Sequence, residues 1–269
     1  MRKQLPPSVR QEDFSLALAG GPIAARRIRP AGKTGARGPT LVLLHEALGC
    51  IAMWRDVPAQ LSCMTGLPAL VYDRHGHGQS GVLAGPRRPD YLDREALEVL
   101  PQVLTASGIA DPLLIGHSDG GTIALLYAAQ YPARAVVTEA AHVFVEDVTV
   151  SGIRDAVEAW HGTGLAQKLA RYHGCKTEAL FFAWADTWLS DAFSSWNIEP
   201  ALAHIACPTL AIQGADDEYG SPRQLNAIAD GVAGPVQTNL LPDCRHVPHL
   251  QAADRVLPEI AEFITGQLD

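Results

Sequence analysis

The run Leu113-Leu114-Ile115-Gly116-His117-Ser118-Asp119-Gly120-Gly121 constrains this chain more than any other segment. An apolar stretch stops at Gly-x-Ser-x-Gly and passes at once into the helix-like Thr122-Ile123-Ala124-Leu125-Leu126-Tyr127-Ala128-Ala129. A serine held between a strand and a helix sits on a sharp turn with its hydroxyl in the open. Small residues two positions to either side let the helix lie against the strand. Gly116 and Gly120 meet that demand, and Gly121 adds slack. The helix start sets free backbone N–H groups and a partial positive charge beside Ser118, where an anionic intermediate can be held. A turn serine or an ordinary helix cap produces the same five letters. It is the strand before and the helix after that make the segment read as a nucleophile elbow, and the chain as a serine hydrolase.

With 269 residues, 47% of them hydrophobic, the chain can bury a full core and fits one large α/β domain better than two of similar size. A net charge of −8 without any basic cluster argues against nucleic acid or an anionic membrane as partner. Met1-Arg2-Lys3 runs into Gln4-Leu5-Pro6-Pro7 with no signal-like apolar stretch, and no apolar run is long enough to span a bilayer. The expectation is a cytoplasmic protein whose oligomeric state is left open, a homodimer included. Cys50, Cys63, Cys175, Cys207 and Cys244 are odd in number, widely spaced and free of C-x-x-C. They are expected to be reduced and mostly buried, with no disulfide framework, metal site or cofactor.

Phe14–Leu18 and Pro22–Ile28 flank Ala19-Gly20-Gly21 and predict an N-terminal hairpin, followed by a Gly-rich loop from Pro30 to Pro39. Short, continuously apolar runs then recur at Thr40–His45, Pro68–Asp73, Pro112–Gly116, Arg134–Glu139 and Pro208–Gln213, as buried parallel strands require. Helical stretches at Trp54–Thr65, Asp90–Ser107, Thr122–Tyr131, Pro222–Asp230 and Ala253–Gln267 complete a doubly wound α/β pattern. Pro258 is tolerable if it lies near a helix start. Residues 142–201 break the alternation: no strand is evident, and Trp160, Phe181, Phe182, Trp184, Trp188, Phe193 and Trp196 crowd there. A helical, aromatic insertion after a strand end reads as a lid over the site, or its aromatics are simply the core of that segment. The remaining residues, 1–141 and 202–269, form the α/β core in this reading.

A serine hydroxyl becomes a good nucleophile when an imidazole takes its proton and a carboxylate fixes that imidazole. Pro208–Gln213 leads into Gly214-Ala215-Asp216-Asp217-Glu218-Tyr219-Gly220, which offers the acid at a strand's carboxyl end. After a further strand at Pro235–Leu241 comes Cys244-Arg245-His246-Val247-Pro248-His249, which offers the base. Glu139, ending the strand after the elbow, is a second candidate acid.

On these residues the chain resembles the α/β-hydrolase superfamily over nearly its whole length outside the insertion. His45-Glu46-Ala47-Leu48-Gly49 resembles its His-Gly oxyanion loop, and Asp73-Arg74-His75-Gly76-His77-Gly78-Gln79-Ser80 its Asp-x-Arg-Gly-x-Gly-x-Ser segment. The elbow, Gly214-x-x-Asp217 and His246-x-Pro-His249 match three further motifs, and their spacing selects Asp217 over Asp216 and His246 over His249. The resemblance implies a Ser118–His246–Asp217 triad and an oxyanion hole made by the backbone N–H groups of Ala47 and Asp119. Glu46 stands where the family has glycine, and His75 where it has arginine.

Gly76-x-Gly78-x-x-Gly81 follows a strand but opens into Val82-Leu83-Ala84-Gly85-Pro86, a loop, so it is not a dinucleotide fingerprint. His75 and His77 lack a companion ligand set for a metal, and His45 and His117 read as structural. The expected reaction is acyl transfer from a small carboxylic ester or thioester to Ser118, then hydrolysis. A carbon–carbon bond hydrolase of ring-cleavage diketones is the enzymatic rival, and a hydrolase-fold receptor with little turnover is the non-enzymatic one. Glu46, Asp119, Asp216 and Glu218 are expected to crowd the mouth and favour neutral over anionic substrates.

Overall fold

The computed structural model describes residues 9–31, 38–83 and 85–268. The segment at Met1–Pro7, most of the Gly-rich loop and Ala84 lie outside the described residues. Within them the chain runs β1 (Val9–Leu18), β2 (Gly21–Pro30), β3 (Thr40–Leu44), α1 (Val57–Thr65), β4 (Ala69–Tyr72), α2 (Tyr91–Arg94) and α3 (Leu100–Ser107). It continues through β5 (Pro112–His117), α4 (Asp119–Gln130), β6 (Ala135–Glu139), α5 (Asp147–Gly162), α6 (Leu165–His173), α7 (Thr177–Trp188) and α8 (Glu199–Leu202). It ends with β7 (Thr209–Gly214), α9 (Pro222–Gly231), β8 (Val236–Leu241), α10 (Pro248–Gln251) and α11 (Ala253–Thr265).

The eight strands form one sheet in the order β1-β2-β4-β3-β5-β6-β7-β8. The β1–β2 hairpin and its junction with β4 are antiparallel, and every other pairing is parallel. This is the doubly wound sheet with an N-terminal hairpin expected from the sequence. The central strands are continuously apolar because both of their faces are covered. Leu41, Leu43, Leu113, Ile115, Val137, Leu210 and Ile212 pack with Val57 and Leu61 of α1 and Val256, Ile260 and Ile264 of α11. The alternate residues Val42, Leu44, Leu114, Val136 and Ala211 pack with Val103 of α3, Ile123 and Leu126 of α4 and Leu225 and Ile228 of α9.

Proline decides where several predicted helices depart from expectation. The Trp54–Thr65 stretch divides into a 3-10 turn at Ile51–Trp54 and α1, which begins at Val57 so that Pro58 falls in its first turn. The Asp90–Ser107 stretch is continuous but widens to a π turn at Glu95–Val99, just before Pro101, which has no N–H to donate. Pro258 lies inside α11 rather than at its start. Burial of the cysteines is uneven: Cys50 and Cys244 are buried, whereas Cys63 and Cys175 are exposed.

Between β6 and β7 the chain forms α5 to α8, and a bridge between Phe144 and Asn197 joins the two ends of this insertion. Its aromatics stack on one another, Trp160 on Phe181 at 4.4 Å and Phe193 on Trp196 at 5.2 Å. Phe181, Trp184, Trp188 and Phe193 belong to the same apolar cluster as α4. No helix among the described residues is long and apolar enough to cross a membrane.

At the junction of β5 and α4, Ser118 has φ 53° and ψ −119°, a conformation that a residue with a side chain holds only under constraint. A Cβ on Gly116 would collide with the Gly120 carbonyl, and one on Gly120 with the Leu44 carbonyl of β3. Gly120→Ala is therefore expected to cost at least about 1–3 kcal/mol, the usual range for overpacking. Gly162→Ala, whose added Cβ meets nothing within 4 Å, is the matched control and should be neutral or mildly stabilising. Urea unfolding of both variants checks this.

Candidate active site

Strand ends and the loops that follow them bring the candidate residues together. Ser118 follows β5, Glu46 and Ala47 follow β3, Asp217 follows β7, and His246 follows β8. The Ser118 N–H donates to Glu139 O at 2.8 Å, and its own carbonyl accepts from Gly121 and Thr122 N–H at 2.8 and 3.1 Å. The elbow is thus clamped to β6 on one side and to the first turn of α4 on the other.

A cavity of about 120 Å³ opens beside Ser118, lined also by Glu46, Ala47, Leu48, Asp119 and His246. The insertion supplies Thr149 and Ile153 from α5 and Trp184 and Trp188 from α7 to the same cavity. Its aromatics therefore divide by role: Trp184 and Trp188 face the cavity, while Phe181 and Phe193, each at most 1% exposed, pack in the core.

His246 Nδ1 lies 2.8 and 3.0 Å from the two carboxylate oxygens of Asp217. The Asp217 side chain is fully buried and also accepts from Tyr219 N–H at 2.8 Å and Gln213 Nε2 at 2.5 Å. Burial works to raise its carboxyl, but the hydrogen bond and charge of His246 and the Tyr219 N–H outweigh it and hold the group below the usual carboxylate range. With Nδ1 engaged, Nε2 is the ring nitrogen of His246 left without a protein partner among the described residues. The Ser118 hydroxyl likewise makes no hydrogen bond among them. Ser118 and His246 line the same cavity.

Glu139 is occupied elsewhere. Its Oε2 accepts from His249 N–H at 2.8 Å and lies 2.9 Å from His249 Nδ1. The His249 ring rests against Trp54 at 4.6 Å and His117 at 4.9 Å. The two acids thus take different histidines, Asp217 with His246 and Glu139 with His249.

Of the four carboxylates expected at the mouth, Glu46 and Asp119 line the cavity, and Asp119 is already engaged. Asp119 Oδ2 meets Arg74 Nη1 at 3.3 Å and accepts from Tyr91 OH at 2.9 Å, and the ion pair is 2% exposed on both sides. Trp188 Nε1 in turn donates to Tyr91 OH at 2.8 Å. Asp216 is exposed and Glu218 pairs with Arg245 at 3.1 Å, and neither lines the cavity. Glu46 is the second carboxylate of the wall. Tyr91 was not legible as a site residue, and Trp188 was legible only as one of the insertion's aromatics, because nothing local in the sequence links Asp119 to partners so far along the chain. Arg74 carried a signal of its own, standing within the Asp73–Ser80 motif.

Glu46 Oε2 is 3.5 Å from His117 Nδ1, an ion pair rather than a hydrogen bond, while His117 Nε2 lies 2.7 Å from His246 O. Burial opposes the charge on Glu46, yet His117 holds its carboxyl down at about 2. Burial likewise opposes a proton on His117, and Glu46 more than offsets it, so this imidazole is raised.

With this geometry in view, residues 39–197 match the family model described as alpha/beta hydrolase fold. The chain belongs to that family of enzymes. It is 33% identical over 156 residues to 2-succinyl-6-hydroxy-2,4-cyclohexadiene-1-carboxylate synthase of Enterobacter sp. (strain 638), a match covering 57% of this chain and 54% of that protein. It is 27% identical over 210 residues to the serine hydrolase BPHL of Mus musculus, covering 72% of this chain and 68% of the relative. The match thus spans about half the length of the first relative. Among solved structures, the enol-lactonase of Burkholderia xenovorans LB400 superposes with a TM-score of 0.71 at 21% identity, covering 94% of this chain and 100% of that one. A carboxylesterase of Bacillus subtilis gives 0.68 at 18%, covering 96% and 92%.

The Glu46–His117 pair predicts a bell-shaped contribution to stability. A depressed carboxyl stabilises fully above its unfolded value of about 4.3, and that share is lost as pH falls toward the folded value. A raised imidazole stabilises fully below about 6.5, and its share is lost as pH rises through the folded value. The stability gap between wild type and Glu46→Gln should therefore be widest between those limits and shrink on both sides. Urea unfolding at pH 3, 5.5 and 9 measures it.

Proposed function

We propose that this chain is a serine hydrolase cleaving a small, neutral carboxylic ester or thioester, with Ser118 as nucleophile, His246 as base and Asp217 as orienting acid. The observation that carries this reading is the Asp217–His246 pair, which engages Nδ1 and leaves Nε2 without a protein partner in a residue that lines one cavity with Ser118. As Ser118 Oγ attacks the acyl carbon, His246 Nε2 takes its proton and then delivers it to the leaving alcohol or thiol. Water, deprotonated by the same nitrogen, attacks the acyl-enzyme and releases the acid and the free hydroxyl. Asp217 stays ionised and steadies the imidazolium.

The developing oxyanion needs N–H donors not otherwise used. Among the described residues the Ala47 N–H donates to no backbone carbonyl, and the Asp119 N–H opens α4, where no helical acceptor is available. These two groups supply the hole in this reading. Losing one such donor costs about 2.7–4 kcal/mol of transition-state stabilisation in enzymes of this kind.

A cavity of about 120 Å³ is small against the roughly 300 Å³ at which ligand pockets usually begin, and it favours a short acyl group. We take residues 142–201 to act as a lid, because α5 and α7 supply four of the residues that close the cavity. The relative named as a carboxylate synthase raises the alternative of a charged substrate. The lining has no Lys or Arg to meet an anionic group, and Glu46 is already paired with His117, which favours a neutral one.

A panel of neutral and acidic p-nitrophenyl esters, thioesters and a ring-cleavage diketone tests the reading. Steady turnover of short neutral esters is expected, faster than of acidic esters of equal length. Ser118→Ala should abolish it and Asp217→Asn should lower kcat by roughly 10⁴-fold, while Glu139→Gln should stay within about tenfold of wild type. Preference for the diketone selects carbon–carbon hydrolysis, and a burst without turnover selects the receptor. Turnover surviving in Ser118→Ala overturns the assignment.

A further inference from the structure

The three successive carbonyls of the loop that follows β3 each meet a different histidine. His45 Nδ1 lies 2.7 Å from Glu46 O, His77 Nε2 lies 2.9 Å from Ala47 O, and His173 Nε2 lies 2.9 Å from Leu48 O. The rings lie in series, His45 and His77 at 4.7 Å and His77 and His173 at 6.1 Å between centroids.

Two of these rings have their tautomers dictated by the backbone. The Arg74 N–H donates to His45 Nε2 at 3.1 Å, and the Gly78 N–H donates to His173 Nδ1 at 3.0 Å. A nitrogen that accepts carries no proton, so in each neutral ring the other nitrogen bears the N–H and donates it to the loop carbonyl. Burial lowers both imidazoles and keeps them in that neutral form. His77 meets carbonyls on both nitrogens, Ala47 O and His75 O, so one neutral ring serves one of the two at a time.

His173 differs from its neighbours in origin, since it ends α6 of the insertion. A planar trans peptide sets its N–H opposite to its C=O. Holding Leu48 O therefore orients the Gly49 N–H, which donates to Glu46 O at 3.0 Å. Glu46 O, held as well by His45 and by Arg74 Nη2 at 2.8 Å, orients the N–H of Ala47 in the same way. Lys176, just beyond His173, donates from Nζ to His77 O, Gly78 O and Ser80 O at 3.1, 2.7 and 2.5 Å. The insertion thus grips both the loop at 46–49 and the loop that supplies the Gly78 N–H.

We propose that His173 is a positioning residue that makes the oxyanion loop depend on the helical insertion, through Leu48 O, the Gly49 N–H and Glu46 O, to the Ala47 N–H. The proposal rests on the serine-hydrolase reading for its effect on rate, but the hydrogen-bond relay stands apart from it. When the insertion is seated, the donor is aimed; when it is displaced, the loop loses its outermost anchor.

The test compares wild type, His173→Phe, which keeps a ring but neither bond, and His173→Gln, which keeps a donor for Leu48 O. His161→Phe, an exposed histidine on α5, is the control. With a short p-nitrophenyl ester, His173→Phe is expected to lower kcat by roughly 10- to 100-fold, a fraction of a lost oxyanion donor, with KM within about threefold. Gln should recover part of the loss. Amide exchange at Gly49, followed by NMR, should speed up in the same order, and neither readout should move in His161→Phe. An unchanged Gly49 exchange rate in both folded His173 variants overturns the relay. An unchanged kcat alongside faster exchange overturns its link to catalysis. Failure of the serine-hydrolase reading shows separately, as wild-type turnover that survives Ser118→Ala.

Discussion

The close crossing of β5 and α4 at Ser118 is the constraint on which the rest of the molecule depends. A serine at φ 53° is unfavourable by itself, and it persists because Gly116 and Gly120 let the strand, the helix and β3 approach to backbone contact. Any side chain there would push α4 off the sheet and draw Ser118 away from the loops at the other strand ends. The parallel strands beside it then deliver Ala47, Asp217 and His246 to the same end of the sheet, which is where a doubly wound fold gathers its sites.

Burying so many titratable groups in one region requires that each have a partner, since an isolated buried charge is expensive. The protein meets this with separate pairings: Asp217 with His246, Glu139 with His249, Glu46 with His117, and Asp119 with Arg74. Separation matters as much as pairing. If Glu139 competed for His246, the tautomer of that ring would not be fixed, and the Ser118 side of the imidazole would be shared between two tasks. Engaging the Asp119 carboxylate with Arg74 and Tyr91 gives its buried charge a partner.

Much of the sheet was legible because buried parallel strands are continuously apolar: Thr40–Leu44, Pro112–His117 and Thr209–Gly214 fall close to the predicted runs. The elbow was legible because its glycines answer a steric demand that only glycine meets. The family motifs carried Asp217 and His246, which the fold places together. What was not legible is what depends on distant pairing. Four carboxylates near the mouth looked equivalent in sequence, yet Arg74 engages one, Arg245 another, and His117 pairs with Glu46 on the cavity wall. The aromatics of the insertion offered no way to divide wall from core before the helices were packed, and His173 looked like any helix-terminal histidine until α6 met the loop after β3.

Catalysis by this site requires that the Ser118 hydroxyl be nucleophilic in the folded protein. Labelling with a fluorophosphonate, followed by peptide mass spectrometry, asks this without a known substrate. One adduct is expected, on Ser118, formed rapidly in wild type and far more slowly once His246 is replaced by alanine. Folded protein that remains unmodified at Ser118, or that labels there equally fast without His246, would contradict it.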